Sequence, residues 1–302
     1  MKIKTTLISL ALLLATGGQA EAEAQNAANS KTQYAATGDR KIAYRSIGKG
    51  TPIILVNRFR GTLDTWDPLF LDKLAENYNV ITFDYTGIGS STGTLPTDIP
   101  TVAKDIKDLS DALKLKKIIV LGWSYGGLVA QAATFQYPEL VTHSILVGTN
   151  PPGKNEIPLE QVFFDRALKP IKSFDDEIVL FFEPKSESSK KAAQLSHDRI
   201  YKRIDVSKIP ATQEVFERYF KGGAGFREDK QNFREQLQTT QTPILVISGD
   251  HDISFAVENW FALLRELPTT QMIVFPHTGH APQHQYPELT ANYIHNFITL
   301  NK

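Results

Sequence analysis

Short apolar runs alternate with helical patterns along most of this chain, and this alternation constrains its fold more than any other feature. The runs are unbroken, as is typical of strands buried on both faces of a sheet. They comprise residues 52–57, 79–85, 117–123, 144–149, 242–249 and 271–275. Helical patterns occupy residues 65–76, 102–115, 127–136, 256–267 and 287–300. This order predicts an α/β fold with a mostly parallel central sheet and helices on both faces, preceded by a hairpin around Gly38-Asp39.

The alternation stops between residues 151 and 238, where helical stretches occur without any buried-strand run. We therefore expect a helical cap at residues 151–238, inserted between two parts of an α/β core at residues 25–150 and 239–302. Ser173 followed by Asp176 is typical of a helix start. The run Gly222-Gly223-Ala224-Gly225 predicts a flexible joint.

The N-terminus has the pattern of a secretory signal peptide. Lys2 and Lys4 precede an apolar run at residues 7–15, and small residues follow up to Ala24. A membrane anchor would need about 20 apolar residues, and this run is far shorter. We expect residues 1–24 to be removed, a secreted or periplasmic mature protein, and no membrane-spanning segment.

Composition excludes several classes of protein. Lys and Arg number 33, as do Asp and Glu, so no basic excess is available to neutralise the phosphates of a nucleic acid. The chain has no Cys, which excludes disulfides and thiolate metal sites. Apolar residues make up 41% of the chain, which is enough to form a core and argues against a disordered protein.

The pattern Gly-x-Ser-x-Gly, which can mark a nucleophilic serine, occurs twice. At Gly89–Gly93 two prolines follow within a few residues, so we expect only a loop there. At Gly122–Gly126 the motif follows a buried strand and leads into a helix, the context in which such a turn exposes a serine. Ser124 is therefore the candidate nucleophile. The alternative is a serine in an ordinary strand–helix turn.

A serine hydroxyl needs a base, and a histidine base needs an acid to orient it. His280 follows the last predicted strand and is preferred over His277 and His284. For the acid, the sequence offers Asp252 and Asp250 after the strand at residues 242–249. We prefer Asp252, since the turn at Gly249 can carry it toward the histidine loop, and Asp250 could instead serve a structural role.

With these residues in place, the sequence resembles the capped branch of the α/β-hydrolase superfamily. The order Ser124, Asp252, His280 matches the superfamily's order, and DYTGIGSS, GWSYGG, PILVISGDHD and FPHTGH resemble its motifs. The resemblance implies an oxyanion hole made by the backbone N–H groups of Tyr125 and Phe59. Relatives usually have His-Gly where this chain has Asn57-Arg58, so the loop could be shaped differently.

Asn57, Arg58 and Trp123 are candidate residues of the substrate pocket. Arg58 and Arg60 could hold an anionic part of a substrate or pair with Asp64 or Asp67, and Trp123 could equally belong to the core. The predicted cap is rich in aromatic residues, which would pack it onto the core or line an apolar pocket. They are Phe163, Phe164, Phe174, Phe181, Phe182, Phe216, Tyr219 and Phe220.

Serine at this position favours acyl transfer, since relatives that cleave carbon–halogen bonds or epoxides carry Asp there. We expect a serine hydrolase acting on carboxylic esters of small, partly apolar molecules, with no cofactor, no metal and no nucleic-acid partner. The oligomeric state stays open. One alternative is another reaction of the same residues, namely peptide, lactone or carbon–carbon bond cleavage, or perhydrolysis. The other is a non-catalytic protein that binds a small molecule.

Overall fold

A computed structural model describes residues 26–301, so the predicted signal peptide lies outside the described residues. Within them, eight strands form one sheet in the order β1-β2-β4-β3-β5-β6-β7-β8. The first two strands pair antiparallel, as do β2 and β4, and all later neighbours are parallel. The strands are β1 Gln33–Thr37, β2 Arg40–Gly48, β3 Pro52–Val56, β4 Asn79–Phe83, β5 Ile118–Trp123, β6 Val141–Val147, β7 Ile244–Gly249 and β8 Thr270–Phe275. The predicted sheet is confirmed.

Alternate residues of the central strands point to two separate apolar clusters, one on each face of the sheet. Ile54 belongs to one cluster and its neighbour Ile53 to the other, and neither is exposed. Helices cover both faces, which is why these strands read as unbroken apolar runs. The core helices are α1 Pro68–Ala75, α2 Ile99–Ala112, α3 Tyr125–Gln136, α9 Glu258–Phe261, α10 Pro282–Gln285 and α11 Pro287–Leu300.

Two core helices differ from the sequence-based expectation at their ends. Helix α2 begins at Ile99, ahead of the expected Val102, because the Asp98 carboxylate accepts a hydrogen bond from the Thr101 N–H at 2.9 Å and caps the helix. Helix α9 spans only four residues of the expected 256–267. The chain reverses at Arg265, whose φ is +75°, and Pro268 disfavours helix in the residue before it.

The inserted segment, residues 151–238, contains helices and no strand among its residues, all of which are described. Ser173 and Asp176 form the expected capping box at the start of its second helix. Its helices are α4 Gln161–Ala167, α5 Phe174–Phe181, α6 Glu187–Ile200, α7 Gln213–Glu228 and the first part of α8 Phe233–Thr239. Between residues 26 and 301, no helix is both long and apolar enough to cross a membrane.

The prediction of a flexible joint at residues 222–225 is wrong, because these residues lie inside helix α7. Gly222 faces the core so closely that a Cβ atom there would lie 2.9 Å from the Tyr125 hydroxyl oxygen. Tertiary packing thus keeps a helix where the local preference of glycine is against one.

Candidate active site

Ser124 stands on a strained turn between β5 and α3. Its φ and ψ are 62° and −123°, which a residue with a side chain rarely adopts. The turn is possible because Gly126 packs against β3, where a Cβ atom would lie 2.0 Å from the Val56 carbonyl oxygen. Ser124 also donates its backbone N–H to the Val147 carbonyl at 2.9 Å, which fixes the turn to the neighbouring strand.

His280 and Asp252 form a buried pair at the same edge of the sheet. The imidazole Nδ1 lies 2.7 Å from a carboxylate oxygen of Asp252, and both residues are at least nine-tenths buried. The other carboxylate oxygen accepts the backbone N–H groups of Ser254 and Phe255 at 2.7 and 3.0 Å. These bonds fix the carboxylate, which in turn orients the ring.

Asp250, the alternative acid, does not contact His280. Its carboxylate lies 2.6 Å from the His251 Nδ1 and accepts the Thr278 N–H at 3.2 Å. Asp250 therefore braces the loop that carries His280, while Asp252 contacts the imidazole itself. His284, another alternative, uses its Nε2 to accept the Asp67 N–H at 3.2 Å.

The residue before Ser124 holds the loop that carries His280. Trp123, which precedes Ser124, donates its indole N–H to the His280 carbonyl at 2.8 Å. Among the described residues, neither Ser124 Oγ nor His280 Nε2 has a hydrogen-bond partner. Catalytic hydrogen bonds are often long before a substrate binds, so the absence of a direct bond between these two atoms is compatible with a catalytic pair.

Gly148 is a site residue that the sequence analysis missed. It follows β6 with φ +50°, and a Cβ atom there would lie 3.0 Å from the His280 Nδ1 and 3.3 Å from an Asp252 carboxylate oxygen. Only a glycine leaves room for this pair. A glycine directly after the predicted strand at residues 144–149 was the available signal.

The two expected oxyanion donors border the same cavity as Ser124. Phe59 and Tyr125 line it together with the serine. Within residues 26–301, neither backbone N–H donates a hydrogen bond to another residue. Tyr125 is the first residue of α3, where the helix dipole favours negative charge.

Arg60 fastens the loop that carries Phe59 to the inserted segment. It is 2% exposed, and its guanidinium donates to four carbonyl oxygens at 2.6–2.9 Å. The acceptors are Ala167, Lys169, Pro170 and Pro210. A buried arginine that bonds only to carbonyls holds this loop and the segment in one geometry.

Asn57 and Trp123, two candidate pocket residues from the sequence, have their side chains buried in the core. The Asn57 side chain donates to the Phe83 carbonyl at 2.6 Å and accepts the Trp66 indole N–H at 2.7 Å, so it braces the loop from within the core. Trp123 is 1% exposed and belongs to a core cluster. Neither residue lines the cavity at Ser124.

Arg58 also lies outside the Ser124 cavity and lines a second one. The expected pairing of Arg58 or Arg60 with Asp64 or Asp67 does not occur, because other arginines occupy both acids. Asp64 pairs with Arg45 and Arg203, and Asp67 pairs with Arg199.

The cavity at Ser124 has a volume of about 220 Å³ and a largely apolar wall. Aromatic residues of the inserted segment form much of it, as expected for part of the predicted set. They are Phe163, Phe164, Tyr219 and Phe220, joined by Phe226. Phe255 of the core completes the wall, with its ring centroid 5.8 Å from that of His280.

A sequence profile described as "alpha/beta hydrolase fold" matches residues 51–287, more than half of the chain. The chain belongs to the α/β-hydrolase fold family. Its residues 26–301 contain no group of three or more His, Asp and Glu placed to hold a metal ion.

The chain is also similar to individual members of several kinds. An α/β-hydrolase fold protein from Chitinophaga pinensis has a solved structure that is 27% identical, with a TM-score of 0.80, covering 91% of this chain and 99% of that one. A putative non-heme chloroperoxidase from Synechocystis is 27% identical, covering 85% and 94%. A putative 2-succinyl-6-hydroxy-2,4-cyclohexadiene-1-carboxylate synthase from Bacillus subtilis is 25% identical, covering 82% and 90%.

Proposed function

We propose that this protein is a serine hydrolase that cleaves carboxylic esters of small, partly apolar molecules through an acyl-enzyme. The observation that carries the proposal is a serine on a strained strand–helix turn, linked to a buried His280–Asp252 pair through the Trp123 indole bond to the His280 carbonyl. The relatives' names span different reactions, so the ester assignment rests on the site of this chain and on the serine at its turn.

In the proposed mechanism, Ser124 Oγ attacks the ester carbonyl while His280 Nε2 takes its proton. The imidazolium returns this proton to the departing alcohol, and water then cleaves the acyl-enzyme with the same base. Asp252 keeps the imidazole in the required tautomer. The N–H groups of Tyr125 and Phe59 stabilise the oxyanion, each by about 3–4 kcal/mol at the transition state.

The cavity supports a small substrate with an apolar part. Its volume of about 220 Å³ lies below the range common for drug-sized ligands. We expect short acyl esters to be cleaved better than long ones, since the ring of Phe163 and its aromatic neighbours limit the depth available.

Ester hydrolysis by matched aspartate variants tests this mechanism. Asp252→Asn is expected to lower kcat by on the order of 10³–10⁴-fold, because an amide no longer holds the imidazole in the right tautomer. The matched control is Asp250→Asn. Asp250 lies two residues from Asp252, and its replacement keeps the His280–Asp252 pair, so kcat should fall much less. A larger loss in Asp250→Asn would reverse the assignment of the acid.

We also propose that the protein is exported and that residues 1–24 are removed. Within the described residues, Ala27 already contacts the core, and its N–H bonds to Asp72 at 2.7 Å. Mass spectrometry of the protein from the extracellular or periplasmic fraction reads the mature N-terminus directly.

A further inference from the structure

A second cavity, of about 50 Å³, lies between the loop after β3 and the inserted segment. We call it the arginine cavity. It shares no lining residue with the cavity at Ser124. The lining residues that matter below are Arg58, Trp123, Lys172, Phe181 and Ser196.

The arginine cavity is lined by hydrogen-bond donors that lack partners. Arg58 is 8% exposed, and its Nε has no partner among the described residues, while one terminal nitrogen donates to the Phe59 carbonyl at 2.8 Å. Ser196 is 1% exposed, and its hydroxyl also has no partner there. A buried polar group without a partner is costly, so two of them on one small cavity indicate a missing acceptor.

Two basic side chains line the same cavity and form no ion pair among the described residues. Within residues 26–301, neither Arg58 nor Lys172 forms an ion pair. Glu177 is also in the wall, but its carboxylate lies 2.7 Å from the His197 Nδ1 and 2.5 Å from the Tyr201 hydroxyl. Lys172 is half-buried, whereas Arg58 is buried, and buried charges are normally paired or bind a ligand.

Aromatic rings stabilise the Arg58 charge only in part. The guanidinium carbon lies 5.2 Å from the ring centroid of Trp123 and 4.6 Å from that of Phe181. Such contacts are favourable, but a ring face cannot accept the in-plane N–H bonds of a guanidinium as a carboxylate does.

The pKa values of Arg58 and Lys172 agree with a cavity that lacks a bound anion. Burial lowers the pKa of Arg58 to about 10, so the side chain is still charged at neutral pH. Burial, followed by the charges of Arg58 and Arg60, lowers the pKa of Lys172 well below its ordinary value. The charge of Glu177 raises both pKa values in part, and an anion in the cavity would raise them further.

We propose that the arginine cavity binds a carboxylate group, held by Arg58, Lys172 and Ser196. A volume of about 50 Å³ has room for a few water molecules or one carboxylate. The chain connects this site to the candidate active site twice, since Arg58 precedes Phe59 and Trp123 precedes Ser124. The carboxylate could belong to the substrate, which rests on the proposed function, or to a separate small acid.

Direct binding tests the site without any need for activity. Acetate is titrated into Ser124→Ala protein by calorimetry at constant ionic strength, and saturable one-site binding is expected. Adding Arg58→Gln should raise the Kd by about tenfold or more, and adding Ser196→Ala by a smaller factor. Lys190→Gln is the matched control, because this exposed cation of α6 pairs with Glu187 outside the cavity, and it should leave the Kd unchanged.

Kinetics then identify the source of the carboxylate. If the substrate carries it, p-nitrophenyl hydrogen succinate should have a higher kcat/KM than p-nitrophenyl butyrate, and Ser196→Ala should reduce the ratio of the two kcat/KM values. If a separate acid fills the site, acetate binds but the two esters do not differ. Both results support a carboxylate site.

Absence of saturable acetate binding to folded Ser124→Ala protein would overturn the proposal, as would a Kd that neither Arg58→Gln nor Ser196→Ala changes. Ser196→Ala removes a single oxygen, so it keeps the test valid if Arg58→Gln fails to fold. Inactivity toward every ester, with acetate binding intact, would contradict the proposed function and leave the carboxylate site supported.

Discussion

The candidate site depends on three side chains that follow strands of the sheet and on buried residues that hold its loops. Ser124, Asp252 and His280 each come shortly after a strand, which is why sequence patterns could identify them, and the structure places them at one edge of the sheet. Asn57 and Arg58 could not be placed. Their positions depend on which way a loop turns its side chains, and that depends on distant partners such as Phe83 and Trp66.

His284 should make stability depend on pH. Burial lowers its pKa in the folded protein to about 4, while the unfolded value is near 6.5. As the pH falls from 6.5 to 4, the unfolded chain binds a proton that the folded chain does not. The free energy of unfolding should therefore decrease by about 3 kcal/mol over this window from this residue alone.

Urea unfolding of the native protein and of His284→Gln, at several pH values, measures this effect. Glutamine can still accept the Asp67 N–H but does not titrate, so the difference between the two proteins should change in this window and be constant above it. Parallel stability curves from pH 4 to 7 would contradict the assigned cause.

At the scale of elements, the apolar runs predicted every strand of the parallel part of the sheet, because strands covered on both faces need continuous apolar sequence. Helix ends were less predictable, as α9 shows. Glycine at residues 222–225 was misleading because the position of α7 is set by its contact with Tyr125 and not by local preference. The fastening of the inserted segment by Arg60 has no local sequence signal, since its acceptors lie at least 107 residues away in the chain.

Two glycines of α7 should respond oppositely to alanine. At Gly225 a Cβ atom meets nothing within 4 Å, so Gly225→Ala should raise the free energy of unfolding by about 0.5–1 kcal/mol. At Gly222 the new Cβ atom would lie 2.9 Å from the Tyr125 hydroxyl oxygen. Gly222→Ala should therefore leave the free energy of unfolding unchanged or lower it. Thermal unfolding compares the pair. Equal shifts for both variants would mean that α7 does not pack on Tyr125 as described.

At the scale of the whole molecule, the sheet gathers distant parts of the sequence at one edge. Ser124 follows β5, Asp252 follows β7 and His280 follows β8, while the loop after β3 brings Phe59 to the same edge. The inserted segment covers this edge with aromatic side chains and leaves a cavity of about 220 Å³. Membership of the α/β-hydrolase fold family agrees with this plan, and the proposed ester hydrolysis follows from the serine at the turn.

The central claim, that Ser124 is the nucleophile, is tested most directly by labelling with a fluorophosphonate probe. The chain contains its own control, because Ser91 lies in the other Gly-x-Ser-x-Gly motif but bonds to the Ala43 N–H at 2.8 Å and the Asp84 carbonyl at 2.7 Å. Peptide mass spectrometry should find the label on Ser124 and none on Ser91, and Ser124→Ala should abolish it. Label that persists in Ser124→Ala, or a folded native protein that takes up none, would contradict the account.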